Sequence, residues 1–387
     1  MSDQDFHYGD YQFQIYVDGL KGQLPDLPMR WQELEEQARN TVPEEAYWYV
    51  AGGAGEATMD ANLAAFDHYR LVPRMLTDIS RRDIGRTVLK RRFPVPFMLA
   101  PIGVQEIVHP DAELAVARGA AELGVPLILS TVSSKPMEAV AETLGETPKW
   151  FQLYWPNDDA LAASLVQRAE RAGYEAIVVT LDTKMMAWRE RDLKGAYLPF
   201  LKGQGLSNYF SDPVFRAALD KAPEEDPWPA IQHWGRVFAS PARTWADLAK
   251  LKEATRLPIL LKGVLSAEDT LRALEAGVDG VIVSNHGGRQ VDGAIAAIDA
   301  LPGVVDAVGG RMTVLFDSGI RRGADVLKAV ALGADAVLLG RPYIWGLACD
   351  GERGVAEVCR RLAADVDITL ALTGNDRMDG LSRHMIE

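Results

Sequence analysis

The chain has only two cysteines, Cys349 and Cys359, at a spacing that suits neither a disulfide framework nor a metal site. A reducing compartment fits that usage. No apolar run is long enough to cross a bilayer, so no membrane role is expected. The opening residues Met1 to Asp5 have neither the basic start nor the apolar core of a secretory leader, and a cytoplasmic protein is the expectation. Positive charge is short. With 41 Lys and Arg against 54 Asp and Glu, the net charge of -13 argues against nucleic acid as a partner. Short repeats and low-complexity tracts are missing. So is a GxGxxG turn in the setting of a dinucleotide fold, which argues against a nicotinamide cofactor.

What is present is a rhythm. The 387 residues, 48% hydrophobic and 25% charged, suit one large or two ordinary globular domains. From about residue 97, apolar strand-like runs alternate with helical patterns. The strands read as Phe97–Ala100, Leu127–Leu129, Trp150–Tyr154, Ala176–Leu181, Ile259–Lys262, Val281–Ser284, Val314–Phe316 and Val337–Leu339. Alternation implies a parallel sheet with helical crossovers, and eight units imply an α/β fold of the closed (β/α)8 TIM barrel type. Thr244-Trp245-Ala246-Asp247 and Ser266-Ala267-Glu268-Asp269 read as capping boxes with Asp in the Glu position.

The expected layout is an N-terminal helical segment over 1–96, a barrel over 97–374 and a tail over 375–387. The first 35 or so residues read as an arm lying on the rest, followed by short helices at Trp31–Ala38 and Glu44–Val50. Roughly 60 residues separate the fourth strand from the helix near Thr244, far beyond an ordinary connection. This insert, about 183–243, carries nine basic and seven acidic residues on an otherwise acidic chain. It leaves the C-terminal end of a strand, where barrel active sites sit, and reads as a lid.

All eight strands end in polar residues or glycine on what becomes one mouth. Those ends carry Pro101-Ile102-Gly103, Ser130, Gln152 with Tyr154, Thr180 with Asp182, Lys262, Ser284 with His286, Asp317 to Arg321, and Gly340-Arg341. Lys262 lies within a strand, where a cation is costly unless paired. An anionic cofactor ring or a Schiff base would account for it. The loops Asp317-Ser318-Gly319-Ile320-Arg321 and Gly340-Arg341 follow strands seven and eight, the usual phosphate site of this fold. His286 is a candidate base and Asp182 its orienting carboxylate, unless Asp182 instead pairs with a lid arginine. Arg289 and Arg189 are candidates to grip a substrate carboxylate, with Tyr49 and Tyr154 as hydrogen-bond donors.

Ser284-Asn285-His286-Gly287-Gly288-Arg289-Gln290 resembles the signature of the FMN-dependent 2-hydroxy acid oxidising enzymes. The likeness extends through Tyr49-Val50-Ala51-Gly52-Gly53, Ala100-Pro101-Ile102-Gly103, Phe151-Gln152-Leu153-Tyr154, Thr180-Leu181-Asp182-Thr183, Leu261-Lys262-Gly263, Asp317–Arg321 and Gly340-Arg341-Pro342. The insert and the N-terminal Gly9-Asp10-Tyr11 are similar to the lactate 2-monooxygenase branch. The resemblance implies FMN as cofactor, a small L-2-hydroxy acid and O2 as substrates, and a homotetramer or higher homo-oligomer. It implies His286 as base with Asp182 behind it, and Arg289, Arg189, Tyr49 and Tyr154 around the substrate. Lys262 would lie at the flavin N1–C2 edge and the backbone of Pro101, Ile102 and Gly103 beside N5. Ser130, Gln152, Thr180 and Ser284 would hold the ring or ribityl chain, and Asp317, Ser318, Gly319, Ile320, Arg321, Gly340 and Arg341 the phosphate side. On the lactate monooxygenase branch the keto acid is retained and decarboxylated; an oxidase would release keto acid and H2O2.

Departures from the pattern carry expectations too. Gly103 stands where many family oxidases carry Ala, which implies extra room beside the flavin for oxygen or a retained keto acid. Val132 stands where glycolate-type members carry Trp, so an indole in the pocket does not carry over. Lys184 to Met186 and Glu190 also depart from the lactate monooxygenase pattern. Two other classes fit the barrel itself: a flavin dehydrogenase feeding a haem or quinone partner, and a non-redox barrel acting on a phosphorylated substrate.

Overall fold

A computed structural model describes residues 7–387. The leader reading on Met1 to Asp5 and the start of the expected arm lie outside the described residues. The described chain opens with four helices: α1 (Asp10–Gly19), α2 (Trp31–Thr41), α3 (Glu44–Ala51) and α4 (Ala57–Ala64). Helix α1 lies on the C-terminal helix, where Tyr11 donates a hydrogen bond to Glu357. Helix α3 ends at Gly52, which with Gly53 lets the chain pass close to the loop after the sixth barrel strand. A Cβ on Gly53 would come within 2.9 Å of the Gly288 carbonyl oxygen.

A two-stranded hairpin follows, β1 (Arg86–Val88) and β2 (Arg91–Phe93). It adds a sheet element to an N-terminal segment expected to be helical. Its turn residues, Leu89 and Lys90, have φ of 46° and 68° without being Gly, Asn or Asp, so no turn signal marks it in the sequence.

The eight expected strands are all present. They are β3 (Phe97–Leu99), β4 (Leu127–Leu129), β5 (Lys149–Tyr154), β6 (Ile177–Thr180), β7 (Ile259–Val264), β8 (Gly280–Val283), β9 (Thr313–Phe316) and β10 (Ala336–Leu339). Each pairs in parallel with the next, and β10 closes on β3. The two-residue period explains why these runs are apolar throughout. Met98, Ile128, Trp150, Val178, Leu260, Ile282, Leu315 and Leu338 form one inner cluster. Their neighbours in the strands, such as Leu99, Leu127, Phe151 and Val179, belong to a second cluster against the surrounding helices. The hairpin contributes Val88 and Phe93 to the inner cluster, with the Phe93 ring 6.1 Å from that of Trp150. It plugs the barrel at the end opposite the strand C-termini.

Helices α5 (Ala112–Leu123), α6 (Met137–Leu144) and α7 (Asp159–Arg171) cross over between the early strands. The insert after β6 holds α8 (Glu190–Lys194), α9 (Ser207–Phe210), α10 (Pro213–Ala217) and α11 (Pro227–Val237). Its anchor is Arg168, only 7% exposed, which bonds Asp212 at 3.1 Å, the Asn208 carbonyl at 2.8 Å and Glu138 at 3.0 Å. A buried cation satisfied from three sides fixes the insert to α7. The late crossovers are α12 (Leu248–Ala254), α13 (Ala267–Glu275), α14 (Ala297–Val308) and α15 (Gly323–Ala331). The Thr244–Asp247 capping box forms in both directions, and Ser266 accepts from the Asp269 amide. Helix α16 (Arg341–Leu372), bent at Asp350–Gly351, follows the last strand, and the tail beyond it bridges back to Leu71 through Ile386. Cys349 and Cys359 are both free. No helix among the described residues is long and apolar enough to cross a membrane.

Candidate active site

The strand C-termini and the insert enclose a cavity of about 450 Å³. Its walls include Ala100 to Gly103, Lys262, His286, Asp317 to Arg321, Gly340 and Arg341 from the barrel. Tyr49 comes from α3, Tyr154 from the end of β5, Arg289 from the loop after β8 and Arg189 from the insert. His68, His109 and His233 do not line it.

His286 follows β8 with φ of 60°, a left-handed conformation uncommon for a residue other than Gly. Its amide donates to Ser284 Oγ at 3.0 Å, which helps hold that turn. Its Nδ1 lies 3.0 Å from Asp182 Oδ1, leaving Nε2 for the cavity. Asp182 therefore pairs with the histidine and not with a lid arginine. Burial pushes the Asp182 carboxyl up, but His286 and Lys262 outweigh it and hold the group below its ordinary value. Burial pulls the His286 imidazole down, against the upward pull of Asp182. The downward direction favours the neutral ring, whose Nε2 can accept a proton.

Lys262 is 5% exposed and already paired. Its Nζ donates to Ser284 Oγ at 2.8 Å and lies 3.2 Å from Asp317 Oδ2. Asp317 also accepts from Ser318, whose hydroxyl accepts the Gly287 amide. One network thus ties Lys262 to both sides of the His286 turn. Beneath the cavity Ser130 donates to Gln152, and Gln152 Nε2 donates to Thr180 at 2.9 Å. Ser130, Gln152, Thr180 and Ser284 are buried around the cavity floor and are not part of its lining.

Arg289 Nη1 is held by the carbonyls of Gly52 at 2.7 Å and Val50 at 3.3 Å, and its guanidinium lies 5.4 Å from the Tyr49 ring centroid. Arg341 is held by the same two carbonyls and by Gly287. Burial and neighbouring arginines pull Arg289 down to about 10 and Arg341 to about 9. Arg189 bonds the Arg289 carbonyl and Gln290 Oε1 at 3.0 Å, and is not a solvated loop residue. Arg321 stacks over Trp31 of α2, and its buried Nε has no partner. Such a concentration of buried cations calls for anions.

Sequence reasoning missed several wall residues. Tyr197, Phe200, Trp234 and Phe238 form an aromatic face from the insert, with the Trp234 and Phe238 rings 4.9 Å apart. Their spacing of four was the available signal. Gln290 links the Asp182 carbonyl to Arg189. Asp192, three residues past Arg189, also faces the cavity. One expectation is corrected. A Cβ on Gly103 would lie 2.5 Å from Val132 Cγ2 and 2.6 Å from the Val132 carbonyl oxygen. The space left by the missing methyl is filled by Val132 and is not free room for oxygen or a keto acid.

A profile of the FMN-dependent dehydrogenase family matches residues 38–387. The chain belongs to that family. It is 42% identical over 368 residues to an L-lactate oxidase of Lysinibacillus sphaericus, covering 95% of this chain and 94% of that one. It is 41% identical over 353 residues to a 4-hydroxymandelate oxidase of Amycolatopsis orientalis, covering 91% and 96%. The crystal structure of a mandelate oxidase with (S)-4-hydroxymandelic acid superposes with a TM-score of 0.83 at 39% identity, covering 93% and 98%. Like the rest of the FMN-dependent dehydrogenases, this is a 2-hydroxy acid oxidoreductase that uses FMN.

The residues present fit that cofactor. The unpartnered Nε of Arg321 and the start of the long helix α16 at Gly340–Arg341 are suited to a phosphate. A Cβ on Gly340 would meet nothing closer than Ile102 at 3.9 Å, so the phosphate end of the cavity is open. Lys262 brings an amine to the same cavity wall.

Proposed function

We propose that this protein oxidises a small L-2-hydroxy acid, L-lactate foremost, with FMN as electron acceptor and O2 as second substrate. The observation that carries the reading is the His286–Asp182 pair at 3.0 Å, with His286 facing one cavity beside Arg189, Arg289, Tyr49 and Tyr154. Arg289 and Arg189 bind the substrate carboxylate through paired N–H donors. Tyr49 and Tyr154 stay protonated, since burial raises both, and donate to the carboxylate or the 2-hydroxyl. His286 Nε2 takes a proton as the 2-carbon is oxidised. Asp182 stabilises the imidazolium that forms.

Asp317, Ser318, Gly319, Ile320, Arg321, Gly340 and Arg341 would hold the phosphate side of FMN. Ser130, Gln152, Thr180 and Ser284 would support its ring and ribityl chain, and Pro101, Ile102 and Gly103 would back the ring. When bound, FMN supplies the two-electron sink. Lys262, paired with Asp317 at 3.2 Å, would lie beside it.

A second reading concerns the product. In the oxidase reading, lactate and O2 give pyruvate and H2O2. In the monooxygenase reading, pyruvate is retained and decarboxylated, so lactate and O2 give acetate, CO2 and water. The aromatic residues that the insert lays along the cavity wall, Tyr197, Phe200, Trp234 and Phe238, support retention. The relatives named as oxidases favour release. Counting acetate against peroxide per lactate consumed separates the two. Stoichiometric peroxide rejects the monooxygenase reading, and stoichiometric acetate rejects the oxidase one. Absence of lactate-dependent bleaching of the yellow protein rejects both. We further propose a homotetramer or higher assembly, which sedimentation tests.

A further inference from the structure

Asp192 is a carboxylate where an acid-binding cavity has least need of one. It lies in α8 of the insert, lines the cavity and is 15% exposed. Its Oδ2 stands 3.8 Å from Arg189 Nη1, too far for a hydrogen bond. Among the described residues no side chain or amide hydrogen-bonds its carboxylate; only its backbone carbonyl is used, by Tyr197. A structural ion pair would close to bonding distance. Asp192 instead acts on Arg189 and Arg289 through space. Burial pushes its carboxyl up, with Arg289 and Arg189 pulling the other way.

We infer that Asp192 sets the charge count of the substrate site and thereby selects 2-hydroxy monocarboxylic acids over 2-hydroxy dicarboxylic ones. The inference rests on the reading that Arg189 and Arg289 receive the substrate carboxylate. Asp192 offsets one of the positive charges that Arg189, Arg289 and Arg341 bring to the cavity wall. Its carboxylate repels a dicarboxylate more than a monocarboxylate in an enclosed space, where charges interact several times more strongly than in water. The insert residues Met186, Leu193 and Tyr197, which share the wall with Asp192, offer no cation for a second carboxylate. The His286–Asp182 and Lys262–Asp317 pairs are unchanged in Asp192→Asn, so they drop out when the ligand ratios of the two proteins are compared. Specificity thus comes from a repulsive element placed beside an attractive one.

The test uses the oxidised FMN-loaded protein and two keto acids of similar length, 2-oxohexanoate and 2-oxoglutarate, with binding read by calorimetry. Asp192→Asn keeps the shape and removes the charge. The expected result is an affinity for 2-oxoglutarate that rises about tenfold relative to 2-oxohexanoate. Asp192→Glu keeps the wild-type ratio. A ratio unchanged in Asp192→Asn, or both ligands shifting by one factor, overturns the inference. Arg289→Met separates the two levels of the argument. If it weakens both ligands while Asp192→Asn leaves the ratio alone, only the role of Asp192 falls. If it weakens neither, the carboxylate site lies elsewhere and both readings fall.

Discussion

His286 and Asp182 are 104 positions apart in the chain, yet their side chains meet at 3.0 Å. Strands β6 and β8 flank β7, and the barrel brings their ends to one rim. The pairing has a pH consequence. His286 is held below its ordinary value by burial, so it is neutral through most of the working range. kcat/KM is expected to fall as pH drops through that lowered value. Asp182 pulls the imidazole upward, so Asp182→Asn should move the acid limb to still lower pH and cut the rate about 10²–10⁴-fold. His286→Ala should retain FMN and lose substrate reduction by a similar factor in stopped-flow. Turnover near the wild-type rate would remove the histidine from its role.

Arg289→Met removes a buried guanidinium with the Tyr49 ring beside it. Substrate affinity should drop by about 2 kcal/mol or more, roughly 30-fold, seen mainly as a rise in KM. FMN content should stay level. An unchanged KM would show that the carboxylate is gripped elsewhere.

Gly103→Ala drives a methyl into Val132. Overpacking of this kind costs about 1–3 kcal/mol. Val132→Ala relieves the side-chain half of the clash and leaves the carbonyl, so it should recover part of that loss in the double variant. Additive losses in a thermal-denaturation cycle would contradict the contact.

Glu113 supplies a stability prediction. It is 1% exposed and accepts the Ser134 amide at 3.0 Å and the Gln105 amide at 3.3 Å, tying together the loops after β3 and β4. Burial pushes its carboxyl up to about 7, above the ordinary 4.5. Between those values the folded chain keeps a proton that the unfolded chain has released. Stability should therefore fall as pH rises across that window, by about 3 kcal/mol in all, and level off beyond it. Glu113→Gln removes the titration. Urea unfolding at pH 5 and pH 8 checks this: equal pH dependence in both proteins would refute it.

The barrel was legible because its strands are β-branched and leucine-rich runs that alternate with helices. The mouth was legible because each run stops at glycine or a polar side chain. The hairpin β1–β2 was not, since Leu89 and Lys90 turn the chain without turn residues. Nor was the interior of the insert, where helices of 4 to 11 residues are held by distant partners such as Arg168. Lys262 shows the limit for single residues. A cation in a strand signalled a special environment, but the carboxylate that answers it, Asp317, lies two strands further on. Gly103 shows another limit, because the atoms that fill its space belong to a neighbouring loop.

The plug formed by Val88 and Phe93 makes the cavity a cul-de-sac at the barrel end. Whatever reaches the cavity along the barrel axis therefore comes by way of the strand C-termini, past insert residues such as Tyr197 and Phe238.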